Sequence, residues 1–433
     1  MAMARPNPVP RDTLVRFLRV KARTLASRAH KLVALTPEAV GLRPEDMPYA
    51  PRAEHFAAAN KRLQAINRAV QGRLAELGNT ADAKPEDQLL AMAMVEREID
   101  RARRAFGMFF EVFAQRGTAF NRRLAAHDAI SIDCYDAIRQ ASPRTFRGPI
   151  VPPLTYLEHG YSPATMRRGV ALSRLLGETN PFPLIRIPYD RDRPWQAVFL
   201  HEVAHNLQAD LGLWVQNRDA VIQRLAEERA PPLVISIFGR WHKEIFADLA
   251  ALLLGGPASA WGLATFLAHP ADKVMTYRPG GAHPTGFLRA QILAEMLHRM
   301  KFEDHARNLR AVWKRLYDPR RGHRIPALLL NHAKQAIAAV VDEIAFQPRR
   351  ALAERALATI IPFGPHDHQA IRAGGEMLAR LRAPRDLPPR FLVSAAAHAI
   401  EKGVDPRDLN ELVLDILAPR EQPTDNVITL KAA

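Results

Sequence analysis

Between residues 53 and 77, Phe56, Leu63, Ile66, Val70, Leu74 and Leu77 fall three, four or seven apart, and Leu89, Val95, Ile99, Phe106, Phe110 and Phe113 extend the pattern over 86 to 115. That period matches one face of an α-helix and excludes the two-residue alternation of a strand. The break holds Gly78, Asn79 and Pro85, whose turn chemistry returns the chain as an antiparallel helical hairpin. A basic amphipathic helix is expected over 12 to 35, with Leu14, Phe17, Leu18, Leu25, Leu32 and Val33 as its apolar members, and a third helix after the hairpin over 119 to 140.

Pro143, Pro149, Pro152 and Pro153 then stop helical structure and mark the best boundary along the chain. Ser162 as N-cap, Pro163 at the first helical position and Gly177 beyond the last turn predict a short helix. Leu184, Ile185 and Ile187 make the clearest strand, and flanking Pro183 and Pro188 assign it to a sheet edge. Helical patterns run from 196 to about 418. The expected organisation is a helical region over 1–142, a core over 143–300, a second helical region over 301–418 and a tail over 419–433, in a mainly α (α+β) fold. Leu249 to Ala268 is an uncharged run of 20 residues, long enough to span a bilayer, but Gly255, Gly256 and Pro257 divide it into two buried helices. No integral membrane span is expected.

Composition narrows the setting. A single cysteine, Cys134, cannot form an intrachain disulfide, and Arg16, Arg19, Lys21, Arg23 and Arg28 interrupt any secretory signal core, so a reducing, cytoplasmic location is expected. The 61 basic residues exceed the 45 acidic ones for a net charge of +16. That excess suits a nucleic acid, an anionic surface or an acidic partner, with the 5–31 segment as its densest stretch, but its wide spread also suits an ordinary solvated surface.

The segment from Ala197 to Leu207 contains His201-Glu202-x-x-His205. Residues four apart on a helix are rotated by about 400° and rise roughly 6 Å, so both imidazoles face one Zn²⁺. Glu202 lies about 100° round from His201, where its carboxylate can act as general base toward water without ligating the metal. A catalytic zinc needs a third protein ligand. Glu244 is the candidate, and Asp248, one turn later on the same face, can accept from a ligand imidazole N–H. His242 and Asp248 itself compete for the third position. Apolar neighbours from Ile245 to Leu254 place these carboxylates in the core, where they need a metal or a cation.

These residues resemble the gluzincin metallopeptidases over roughly 183 to 300. Glu244-Ile245-Phe246-Ala247-Asp248 is similar to the Glu-x-x-x-Asp signature of the thermolysin-like and prenyl-protein peptidases. Gly281 to Arg289 is similar to the His-Pro and Arg that follow the ligand helix in the prenyl-protein group, although this chain lacks that group's transmembrane helices. The resemblance implies a zincin-like core, a peptide or protein substrate, His283 as donor to the substrate carbonyl or oxyanion, and Arg289 as a structural partner of the site. On its residues alone, His283 before Pro284 also reads as a helix cap. Tyr277 is a second possible oxyanion donor, and His366 and His368 a possible second metal pair. The competing function is a basic, zinc-containing binding or regulatory protein that contacts nucleic acid or an acidic partner.

Overall fold

The computed structural model describes residues 11–79, 83–146, 150–170 and 179–419. It is mainly helical, with one small three-stranded sheet. The chain divides into two compact units, one of residues 1–118 with 169–182, the other of 119–168 with 183–433.

In the first unit, α1 (Arg11–His30) accompanies the expected hairpin of α2 (Ala53–Asn79) and α3 (Pro85–Ala114). Leu63, Ile66 and Val70 of α2 and Val95, Ile99 and Phe113 of α3 are buried, as the spacing requires. Pro85 takes the first position of α3, where its missing N–H costs no intrahelical bond. On α1, Leu18 and Leu25 are buried while Phe17 and Val20 stay exposed beside Arg16, Arg19 and Arg23.

The second unit begins with α4 (Asn121–Ala141), the third helix, and then forms β1 (Leu154–Leu157), β2 (Ala164–Met166) and β3 (Leu184–Ile187) in the order β1-β3-β2. Two expectations are corrected here. The start of the predicted 162–177 helix is strand β2, so Ser162-Pro163 leads into extended backbone; Gly177, like Pro149, lies outside the described residues. And β3 is the central strand, not an edge: it pairs parallel with β1 (Leu154↔Leu184) and antiparallel with β2 (Ala164↔Arg186). Its prolines are compatible with that place because they stand just outside the ladder, where Pro183 still accepts from Leu154 N at 3.0 Å.

After the sheet come α5 (Val198–Asp210), α6 (Leu213–Glu227), α7 (Pro232–Gly255), α8 (Pro257–Leu267), the short α9 (Ala271–Val274), α10 (Gly286–Arg299), α11 (Glu303–Leu316) and α12 (Ala327–Val341). The short α13 (Leu357–Ile360) precedes α14 (Pro365–Ala379), α15 (Pro389–Glu401) and α16 (Pro406–Leu417). One apolar core runs from α4 and β3 through α5, α7, α10 and α12. Helix α7 is its axis: every residue from Glu244 to Gly255 is buried. The Gly255-Gly256-Pro257 break separates α7 from α8 as expected, with Gly256 at φ +68°. None of the described helices is long and apolar enough to cross a membrane. Cys134 is buried in α4.

Candidate metal centre

Helix α5 carries His201 and Glu202 on one turn and His205 on the next, and α7 packs alongside it with Glu244 and Asp248. Both pairs are four residues apart, so each helix presents two groups along one stripe. Glu244 Oε2 stands 3.5 Å from His201 Nε2 and 3.4 Å from His205 Nε2. The three ligand atoms lie within 4.8 Å of one another and form a group that can hold a metal ion. A tetrahedral ion with bonds of about 2.0–2.1 Å separates its ligands by about 3.3–3.4 Å, which is the spacing of the two Glu244 contacts. Those distances exceed a good N–H···O bond, and Glu244 Oε2 is buried without a hydrogen-bond partner.

Asp248, wholly buried, does not compete for the metal position. Its Oδ1 lies 2.9 Å from His201 Nδ1, the nitrogen turned away from the cluster, so the carboxylate holds His201 with Nε2 free to ligate. Arg289, in the first turn of α10, binds both oxygens of Asp248, through Nε at 2.8 Å to Oδ2 and through Nη2 to the same Oδ1 that faces His201. His242 is also outside the cluster, its Nδ1 2.8 Å from Gly239 O and its ring edge-on to Trp214.

The electrostatics follow from this packing. Burial disfavours the charged form of His201, but the neighbouring carboxylates of Asp248 and Glu244 outweigh it and lift its pKa to about 9. Burial pushes the Glu244 carboxyl up, and His201 and His205 overcome that and hold it far below the usual carboxylate range. Asp248 likewise stays ionised despite burial, because Arg289 and His201 flank it.

Glu202 is buried beside the ligands and is oriented by Thr165 of β2, whose hydroxyl lies 2.8 Å from Glu202 Oε2 and 2.9 Å from Glu202 O. His283 is more exposed and reaches Glu244 Oε2 at 3.3 Å. It is not the cap of α10; Thr285 is, accepting from Leu288 N. The loop that carries His283 is tied to α7 at Gly281 O, which accepts from Arg240 Nε and Trp241 Nε1, both at 3.1 Å. Tyr277 does not line the cavity; its hydroxyl takes a hydrogen bond from Arg240 at 3.1 Å. His368 packs against Phe302 and His305 on the far helices, and neither it nor His366 belongs to a metal-ligating group among the described residues.

His201, His205, Glu244, Glu202, His283 and Arg289 line one cavity of about 410 Å³. Its remaining wall includes Thr165, Arg167, Trp214, Lys243 and Phe266, to which the sequence reading assigned no role. Only Lys243 had a local clue, next to Glu244; the others are brought in by tertiary folding, Thr165 from 37 residues before Glu202. Comparison of the chain with protein-family models, curated proteins and solved structures gives no match.

Proposed function

We propose that this chain is a zinc-dependent metallopeptidase of the gluzincin type, with a zincin-like core formed by the β1–β3 sheet, α5 and α7. The observation that carries the reading is the convergence of His201 and His205 on the unpartnered Glu244 Oε2 at distances near the edge of a tetrahedral site, with a second carboxylate, Glu202, beside them. Two imidazoles and one carboxylate are a zinc ligand set that leaves a position open for catalysis.

When bound, zinc supplies Lewis acidity toward a carbonyl oxygen and lowers the pKa of water. Glu202, steadied by Thr165, accepts the proton of the attacking water and returns it to the leaving amine. His283, exposed at the cavity wall where substrate can reach it, donates to the carbonyl oxygen as charge builds there. Asp248 keeps the Nδ1 proton of His201 in place, and Arg289 keeps Asp248 ionised. Zinc content by native mass spectrometry, with peptide-library hydrolysis by the wild type and Glu202→Gln, tests the reading. Stoichiometric zinc in both proteins and hydrolysis in the wild type alone is the expected result. Equal cleavage by both, unaffected by chelation, overturns it in favour of a basic zinc-containing binding protein.

A contact of α1 with an anionic surface or nucleic acid is a separate proposal, supported by exposed Phe17 and Val20 among Arg16, Arg19 and Arg23. Retention on heparin that falls steeply with salt, and is lost on replacing these arginines, tests it.

A further inference from the structure

Two of the cations on the cavity wall are unaccounted for by the chemistry above. Consecutive arginines follow β2, and their surroundings differ: Arg168 Nη2 pairs with Asp210 at 3.0 Å, and Asp210 also accepts from Tyr135 at 2.7 Å. Arg167 has no acidic partner among the described residues, and neither does Lys243. Both instead face the same indole. The Arg167 guanidinium lies 3.9 Å from the ring centroid of Trp214, and Lys243 Nζ lies 5.7 Å from it. Every other arginine touching the site is committed, Arg289 to Asp248 and Arg240 to Gly281 and Tyr277.

Both unpaired side chains are half-buried and line the cavity that contains Glu202 and the metal ligands. Two like charges held on one aromatic ring repel each other, and partial burial weakens the water that would screen them. The π face compensates a cation less than a carboxylate that receives hydrogen bonds from both. An indole wall that holds an arginine and a lysine beside each other offers two cationic donors to one anion in the cavity.

We propose that Arg167, Lys243 and Trp214 bind a carboxylate of the substrate close to the bond that is cut, so that the substrate class is peptides carrying negative charge at that position. This inference deepens the peptidase reading and rests on it for the word substrate. An α-carboxylate at the end of a peptide and the side chain of Asp or Glu have the same chemistry, and the test separates them.

The experiment uses the full zinc-loaded chain, Arg167→Gln and Lys243→Met, with matched peptides ending in a free carboxylate or an amide and carrying Glu or Gln inside. Wild type is expected to favour one carboxylate-bearing peptide by about 10- to 100-fold in kcat/KM, mainly through KM, as for charge-assisted hydrogen bonds. Each variant is expected to shrink that ratio about tenfold, while Lys243→Arg restores most of it. A preference that follows the free terminus assigns the α-carboxylate, and one that follows Glu over Gln assigns the acidic side chain. A parallel titration compares N-acetylglycine with N-acetylglycinamide in all three proteins. Cleavage indifferent to charge, or a charge preference unchanged in both variants, overturns the anion subsite and leaves the peptidase reading intact. Acetylglycine binding that is lost in the variants, in a wild type that cuts no peptide, keeps the subsite and overturns the peptidase reading.

Discussion

Arg289 grips both oxygens of Asp248, and His201 meets one of them, Oδ1, at 2.9 Å from Nδ1. Three ionisable groups from three helices thus share one buried point. Asp248→Ala leaves Arg289 charged and unpaired in the core, a loss of about 3–5 kcal/mol in unfolding free energy. The double replacement Asp248→Leu with Arg289→Met is expected to recover most of that stability in urea denaturation. It does not recover zinc affinity, which falls about 10–100-fold once His201 loses its partner. Equal recovery of both would show that Asp248 acts only in packing.

Removing Glu244 and removing His242 are expected to have opposite consequences. Glu244→Ala deletes one of three converging ligand atoms and should weaken zinc binding by more than the ~10–100-fold of a lost outer partner. His242→Ala deletes a ring that faces Gly239 O and Trp214, so stoichiometric zinc is retained. Competition with a chelator, read by mass spectrometry, measures both.

Glu202→Gln should hold zinc and lose about 10²- to 10⁴-fold in kcat, because an amide does not accept the proton. Thr165→Val tests the orientation of that carboxylate separately. It removes the hydroxyl 2.8 Å from Glu202 Oε2 without changing the volume much, and a loss of about tenfold in kcat with little change in KM is expected. An unchanged kcat would mean that Glu202 is positioned by the helix alone.

The turn between α7 and α8 supplies a stability test remote from the ligands. A Cβ on Gly256 would stand 2.1 Å from Phe363 Cζ, and φ +68° with ψ −157° is backbone that essentially only glycine adopts. Gly256→Ala combines strain and overpacking, each about 1–3 kcal/mol, and should lower the thermal midpoint by several degrees.

A pH dependence follows from His368, where burial and the charges of His305 and Arg372 depress the imidazole to about 4. The unfolded chain titrates near 6.5, so between pH 6.5 and 4 it binds more protons than the folded chain. Stability from this group is therefore complete above 6.5 and is lost as pH falls toward 4. The Tm difference between pH 7 and pH 5 should be smaller in His368→Gln than in wild type; an identical difference would remove His368 from the acid response.

How much of this was readable beforehand depended on sequence distance. The α2–α3 hairpin and the stripes on α5 and α7 are patterns within one helix, and periodicity carries them directly. Glu244 and Asp248 could be picked out because two carboxylates in a run of buried residues require partners. Strand β2 is not legible in its own residues, because Ser-Pro suits a helix start as well as an extended segment and only pairing with β3 decides between them. The rank of β3 in the sheet was likewise set by its neighbours rather than by its own prolines. Thr165 and Arg167 reach the site through that same β2, so missing the strand also hid them.

Helix α7 supplies Glu244 and Asp248 from the same stretch of chain that forms the axis of the core. The metal centre is therefore not a detachable part. A peptide copied from α5 and α7 would carry the right side chains but none of the surroundings that keep two carboxylates ionised away from water, and transplanting the centre into another scaffold would require α10 with its Arg289 as well. On the proposed reading, and by the same dependence, zinc occupancy would serve as a readout of native packing throughout the second unit, including for substitutions far from His201, His205 and Glu244.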